Sequence, residues 1–101
     1  MLNQATIEIL TSIKNELETN DGKLSPQFVQ DYADKCTFTY SKADESTRVC
    51  VMTTTNGNKF VDNALVLDPA NDIAEIGNSV AREKCIDQLW GFLGGLAKAL
   101  E

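Results

Sequence analysis

Residues 68–90, DPANDIAEIGNSVAREKCIDQLW, are the longest segment whose apolar residues keep helical spacing. Ile73, Ile76, Val80 and Ala81 recur at three and four residues and continue through Cys85 or Ile86 to Leu89. Such a stripe must lie against something, and the strand-like residues just before it are the nearest candidate. Asp72 followed three residues later by Glu75 has the spacing of a capping box, with Asp in place of Ser or Thr. That spacing predicts a helix beginning near Ile73, delivered by a turn at Asp68-Pro69. Gly77 inside it costs about 1 kcal/mol relative to Ala, and close approach of the backbone to the sheet would account for it.

Upstream, Thr47–Thr55 and Lys59–Leu67 are rich in Val and Thr around Asn56-Gly57, a strong hairpin signal. A two-residue turn would put Val49, Val51, Phe60, Ala64 and Val66 on one side, with Cys50, Met52, Val61 and Leu65 on the other. A three-residue turn with a bulge redistributes that set, and both registers stay open. Either way both sides carry apolar residues and need cover from helices, a second subunit or a partner. A third strand is expected over Cys36-Thr37-Phe38-Thr39-Tyr40, where the period is two, followed by a charged loop from Ser41 to Ser46.

The chain before that strand reads as two helices. Asn3 can cap the first, which carries Ile7, Leu10, Ile13 and Leu17, and Asn20-Asp21-Gly22 supplies its stop. Ser25 opens the second with Pro26 in the first helical position, and Phe28, Val29, Tyr32 and Ala33 form its apolar face. Beyond Trp90, Leu93, Leu96 and Leu100 continue a stripe, while Phe92, Ala97 and Ala99 lie off it. Gly91, Gly94 and Gly95 weaken helix there, so a kink near Gly91 and a short terminal helix are expected. The whole of residues 1–101 is expected to be a single α+β domain.

Nine basic and fifteen acidic residues give a formal charge of −6. No cluster of cations suited to displacing counterions from a duplex is visible, and an acidic balance suits solubility or a basic partner. Three cysteines, Cys36, Cys50 and Cys85, sit at wide spacings and fit reduced, buried thiols better than a disulfide framework. The N-terminus lacks the basic leader and apolar core of a signal peptide, and no run of about 20 apolar residues could span a bilayer. A cytoplasmic protein is the expectation.

Histidine is absent, which removes the commonest side chain for acid–base work near neutral pH. No phosphate loop, nucleophile elbow or paired-cysteine metal spacing is present, so no catalytic, cofactor or metal residue is assigned. Asp68 and Asp72 are read as turn and cap residues, and Cys85 as core packing in preference to a nucleophile. Trp90 reads as a core residue closing the helix on the sheet, with partner anchoring the competing role. Arg82 reads as a helix-surface charge or an ion pair to the sheet.

The hairpin, then Asp68-Pro69-Ala70-Asn71, Glu75-Ile76-Gly77, Ala81-Arg82-Glu83 and Leu89-Trp90, together resemble a family of small tailed-bacteriophage proteins. The family is catalogued under gene product forty-nine of one podophage and gene product sixty-six of another. The resemblance covers residues 47–93. It departs after Trp90, where relatives often carry a Pro and an acidic residue before a glycine and an aromatic, and the first 35 residues have no clear counterpart. It implies a phage or prophage origin and synthesis inside a bacterium, and it implies no activity.

The reading that results is a non-enzymatic phage accessory protein in the host bacterial cytoplasm. It would associate with itself as a homodimer, or with a host protein or protein complex, and modulate it. An anti-CRISPR-like inhibitor of a host defence nuclease complex is one form of that reading. Trp90, Phe92, Leu93, Leu96, Leu100 and Arg82 are the expected partner contacts, with no cofactor, no metal and no membrane. The alternative is a nucleic-acid-associated protein of phage replication using Lys35, Lys42, Arg48 and Lys59 near the sheet. A small enzyme built on carboxylates and Cys85 comes third.

Overall fold

A computed structural model describes residues 3–66, 68, 70 and 72–100. Helices α1 (Gln4–Thr19) and α2 (Pro26–Asp34) precede strands β1 (Thr37–Asp44), β2 (Thr47–Thr53) and β3 (Lys59–Leu65), and α3 (Ala74–Ala99) follows. The strands form one antiparallel sheet in the order β1-β2-β3. This is the expected α+β architecture, with the long C-terminal helix laid across the sheet.

Local chemistry places the N-terminal elements. The Asn3 side chain accepts from the Thr6 amide at 2.8 Å and caps α1. Asp21 and Gly22 follow the helix with φ of 56° and 75°, and the Gly22 amide returns to the Leu17 carbonyl at 2.8 Å. Ser25 caps α2 through the Phe28 amide at 3.0 Å, with Pro26 beginning the helix. The face of α1 is rotated from the expected one: Ile9 and Ile13 are buried, Leu17 packs beside them, and Ile7 is exposed.

The hairpin joining β2 to β3 takes the three-residue form. Thr54 and Asn58 close the loop through an amide-to-carbonyl bond of 2.8 Å, and Gly57 sits at φ 90°. Val51 therefore faces Val61, and Met52 faces Phe60. Cys50, Met52 and Ala64 are buried on one face, alongside half-buried Phe38 and Phe60. Val49, Val51, Val61 and Leu65 share the other face, where no residue is buried. Strand β1 runs on to Asp44, past the expected loop start at Ser41, because Ser41 and Lys42 pair with Val49 and Arg48. Leu67 and Pro69, expected at the strand end and the following turn, lie outside the described residues.

Helix α3 is continuous for 26 residues, about 39 Å at the usual rise. The expected kink at Gly91 is absent. Three helical glycines cost about 1 kcal/mol each, while burying a leucine contributes about 1.5–3 kcal/mol. Leu89 and Leu93 are fully buried and Leu96 packs against the core, so burial outweighs propensity. Nor do those glycines serve close approach: a Cβ built at Gly91, Gly94 or Gly95 would meet nothing within 4 Å. Ala81, Cys85, Leu89, Leu93 and Ala97 form the buried line against β2, β3, α1 and α2. All the cover lies on one face of the sheet, and the molecule measures 50 × 29 × 18 Å. Its radius of gyration is 15.7 Å, against about 13 Å for a compact chain of this length.

Candidate functional site

The start of α3 departs from the sequence reading, and the departure creates the candidate site. Ile73 is the N-cap residue and no side chain caps the helix. Asp72, expected in that role, turns to the sheet: it accepts from Arg48 Nε at 3.0 Å and Arg48 Nη2 at 2.5 Å, with Lys42 Nζ at 3.1 Å. This forked guanidinium contact, then Lys42, hold the Asp72 carboxyl down at about 2. The Arg48 side chain reaches it by crossing Gly77, where an added Cβ would collide with Arg48 Cδ. Gly77 is thus the point of close approach the sequence suggested, and what approaches is an arginine of β2.

That clamp holds the N-terminal end of α3 to the sheet at a point where its apolar stripe has no cover. Ile73, Ile76 and Val80 are 56%, 61% and 44% exposed. With Leu65 of β3, 77% exposed, they line a groove of about 290 Å³ that also includes Ala64, Val66, Asp68, Asp72 and Gly77. Asp68 accepts the Ala70 amide at 3.1 Å, and the Asp72 charge is met by two cations, so the apolar side chains give the groove its character.

Of the residues expected to contact a partner, two are open: Trp90 at 38% and Leu100 at 39% exposure. Trp90 does not close the core. Leu93 is fully buried, Leu96 packs against the core, and Phe92 meets Phe60 edge-on with centroids 5.5 Å apart. Arg82 stacks over the Phe38 ring at 4.6 Å and stands 3.9 Å from Asp34, joining α3 to β1 and α2. The structure does not bring this set together as one surface. Of the groove residues, Ile73, Ile76 and Val80 are read from the sequence as a helical stripe laid against the sheet, and Leu65 as one side of the hairpin.

Three of the four cations named for the nucleic-acid reading do not stand together. Lys42 and Arg48 are held on Asp72, whereas Lys59 lies on the opposite face and donates to Thr53 Oγ1 at 3.0 Å. The thiols are placed for packing. Cys85 Sγ donates to the Cys50 carbonyl at 3.5 Å, and burial pushes Cys50 up to about 12 and raises Cys85. Among the described residues no group of three or more His, Cys, Asp or Glu is placed to hold a metal ion, and no helix is long and apolar enough to cross a membrane.

Fold and groove together define a small two-layer α+β domain whose sheet is covered on one face and whose long helix overhangs the last strand. The chain belongs to a family of phage proteins: the family model described as Phage protein (N4 Gp49/phage Sf6 gene 66) family matches residues 6–100. The match includes α1 and α2, and so reaches well beyond the residues 47–93 that carry the sequence resemblance. Among curated proteins and among solved structures, nothing matches.

Proposed function

We propose that this phage protein is a non-enzymatic accessory protein that binds a host protein or protein complex in the bacterial cytoplasm and alters what it does. The observation that carries the reading is the groove formed by Leu65, Ile73, Ile76 and Val80, apolar side chains left to solvent on a scaffold clamped by Asp72 and Arg48. Buried apolar anchors supply most of the energy of a typical interface. The formal charge of −6 supports a target with a basic surface, because opposite potentials speed encounter. A host defence nuclease complex, whose nucleic-acid surface is necessarily basic, has that chemistry. The absence of histidine and the protonated, packed thiols support a role by adhesion in preference to bond-making.

Affinity capture from host lysate, followed by reconstitution with the purified captured protein, tests the reading. A one-to-one or two-to-two complex that changes the host protein's activity is the expected result. Failure to recover any stoichiometric protein, together with turnover of a small substrate by the purified chain, would replace binding with catalysis.

A further inference from the structure

The open face of the sheet carries a separate message. Its centre is made of Val49, Val51 and Val61 with threonines around them, and none of its residues is buried. Two charges stand at diagonally opposite corners. Lys59 pairs with Thr53 at the end of β3, and the irregularity between Lys42 and Asp44 brings Asp44 opposite Thr47 at the end of β1. The β3 edge of the sheet is guarded. Gln88 donates to the Val61 carbonyl at 2.8 Å and to Asp62 at 2.9 Å, while Asp62 accepts the Asn63 amide at 2.8 Å. Strand addition along β3 is therefore obstructed by the chain's own side chains, while the irregularity of β1 is confined to its last residues.

We infer that the open face is covered by a second copy of this chain, the two sheets stacked face to face and crossed at a steep angle. A basic partner would find little to pair with there. A second copy finds its own surface of β-branched residues there, and because Asp44 and Lys59 stand at opposite corners, a two-fold stacking with the strands crossed brings Asp44 of each copy toward Lys59 of the other. The contact is isologous, as a two-fold dimer demands. The chain's negative charge, carried mainly elsewhere, stays on the outside of the pair. Three short strands make a small interface, so the dimer dissociates on dilution.

Light scattering with sedimentation equilibrium across a concentration series tests this. The wild-type chain should rise with concentration from 11.1 kDa toward twice that mass. Val51→Glu should hold the mass at the monomer value with an unchanged circular dichroism spectrum, because the side chain touches no core residue. Lys59→Asp should weaken the dimer, and adding Asp44→Lys should restore it. A wild-type chain that stays monomeric throughout, or a Val51→Glu variant that keeps the dimer mass, overturns the proposal. A double variant that stays as weak as Lys59→Asp overturns the crossed packing. None of these variants touches the groove, so loss of the dimer leaves host-protein capture as an independent result.

Discussion

The two ends of α3 carry the same kind of sequence and meet opposite fates. From Ala81 to Ala97 every fourth residue is buried, and Cys85, Leu89 and Leu93 are completely closed off from solvent. From Ile73 to Val80 the side chains are larger and the spacing equally regular, yet all three apolar positions remain exposed. The buried line at four-residue spacing runs back from Ala81 to Gly77, which meets Arg48 of β2, whereas Ile76 and Val80 stand one residue before these positions, about 100° round the helix, and so fall outside the sheet contact. The covered end fixes the fold, and the uncovered end is the surface that the proposed function assigns to a partner. This division predicts that substitutions along one helix sort by position more than by chemistry.

The largest effect belongs to the covered end. Leu89→Ala removes a fully buried side chain and should cost about 2–5 kcal/mol in chemical denaturation. A loss below about 0.5 kcal/mol, the scale of an ordinary surface substitution, would mean that α3 does not close the core.

A pair of glycines sharpens the contrast. Gly77→Ala gains about 1 kcal/mol of helix propensity, but it drives the Arg48 side chain from its path, and overpacking costs about 1–3 kcal/mol. A net loss is expected there. Gly94→Ala meets nothing within 4 Å and should instead stabilise by about 0.5–1 kcal/mol. Thermal unfolding of the two variants should move in opposite directions, and movement in the same direction would contradict the position assigned to Arg48.

The clamp gives a pH signature. Arg48 and Lys42 hold the folded-state Asp72 carboxyl at about 2, below the ordinary value of about 3.9 in an unfolded chain. A depressed carboxyl contributes stability that is complete above the unfolded value and is lost as pH falls from about 4 toward 2. Asp62, lowered by its bonds from Gln88 and the Asn63 amide, adds a slope of the same sign. Asp72→Asn should therefore flatten the acid limb of a stability profile without abolishing it. An unchanged slope would mean that the ion pair is not formed in solution.

Much of this architecture is legible in the sequence alone. Asn3 and Ser25 act through bonds to amides three residues on, and Pro26 and Asn56-Gly57 act through local backbone conformation, so sequence alone could place them. What sequence could not supply were choices made by distant partners. Asp72 had a sound local role as a cap, but two cations 24 and 30 residues upstream compete for its carboxylate. Trp90 reads as core by its size and is left partly exposed because Leu89 and Leu93 already occupy the buried line. The glycines near the end of α3 read as a break because local propensity is visible and burial against β3, α1 and α2 is not. The groove was hidden for the same reason, since an apolar stripe does not announce which of its edges the sheet will meet.

The smallest expected effect on stability is also the most informative about function. Ile76→Glu places a charge at a position 61% exposed in the free chain, so its unfolding free energy should change by no more than about 0.5 kcal/mol. Measured beside the wild type against the captured host protein, the same variant should lose at least about tenfold in affinity, which is 1.4 kcal/mol. A variant that unfolds several degrees earlier and still binds with wild-type affinity would show that the first turns of α3 belong to the core and that the partner surface lies elsewhere.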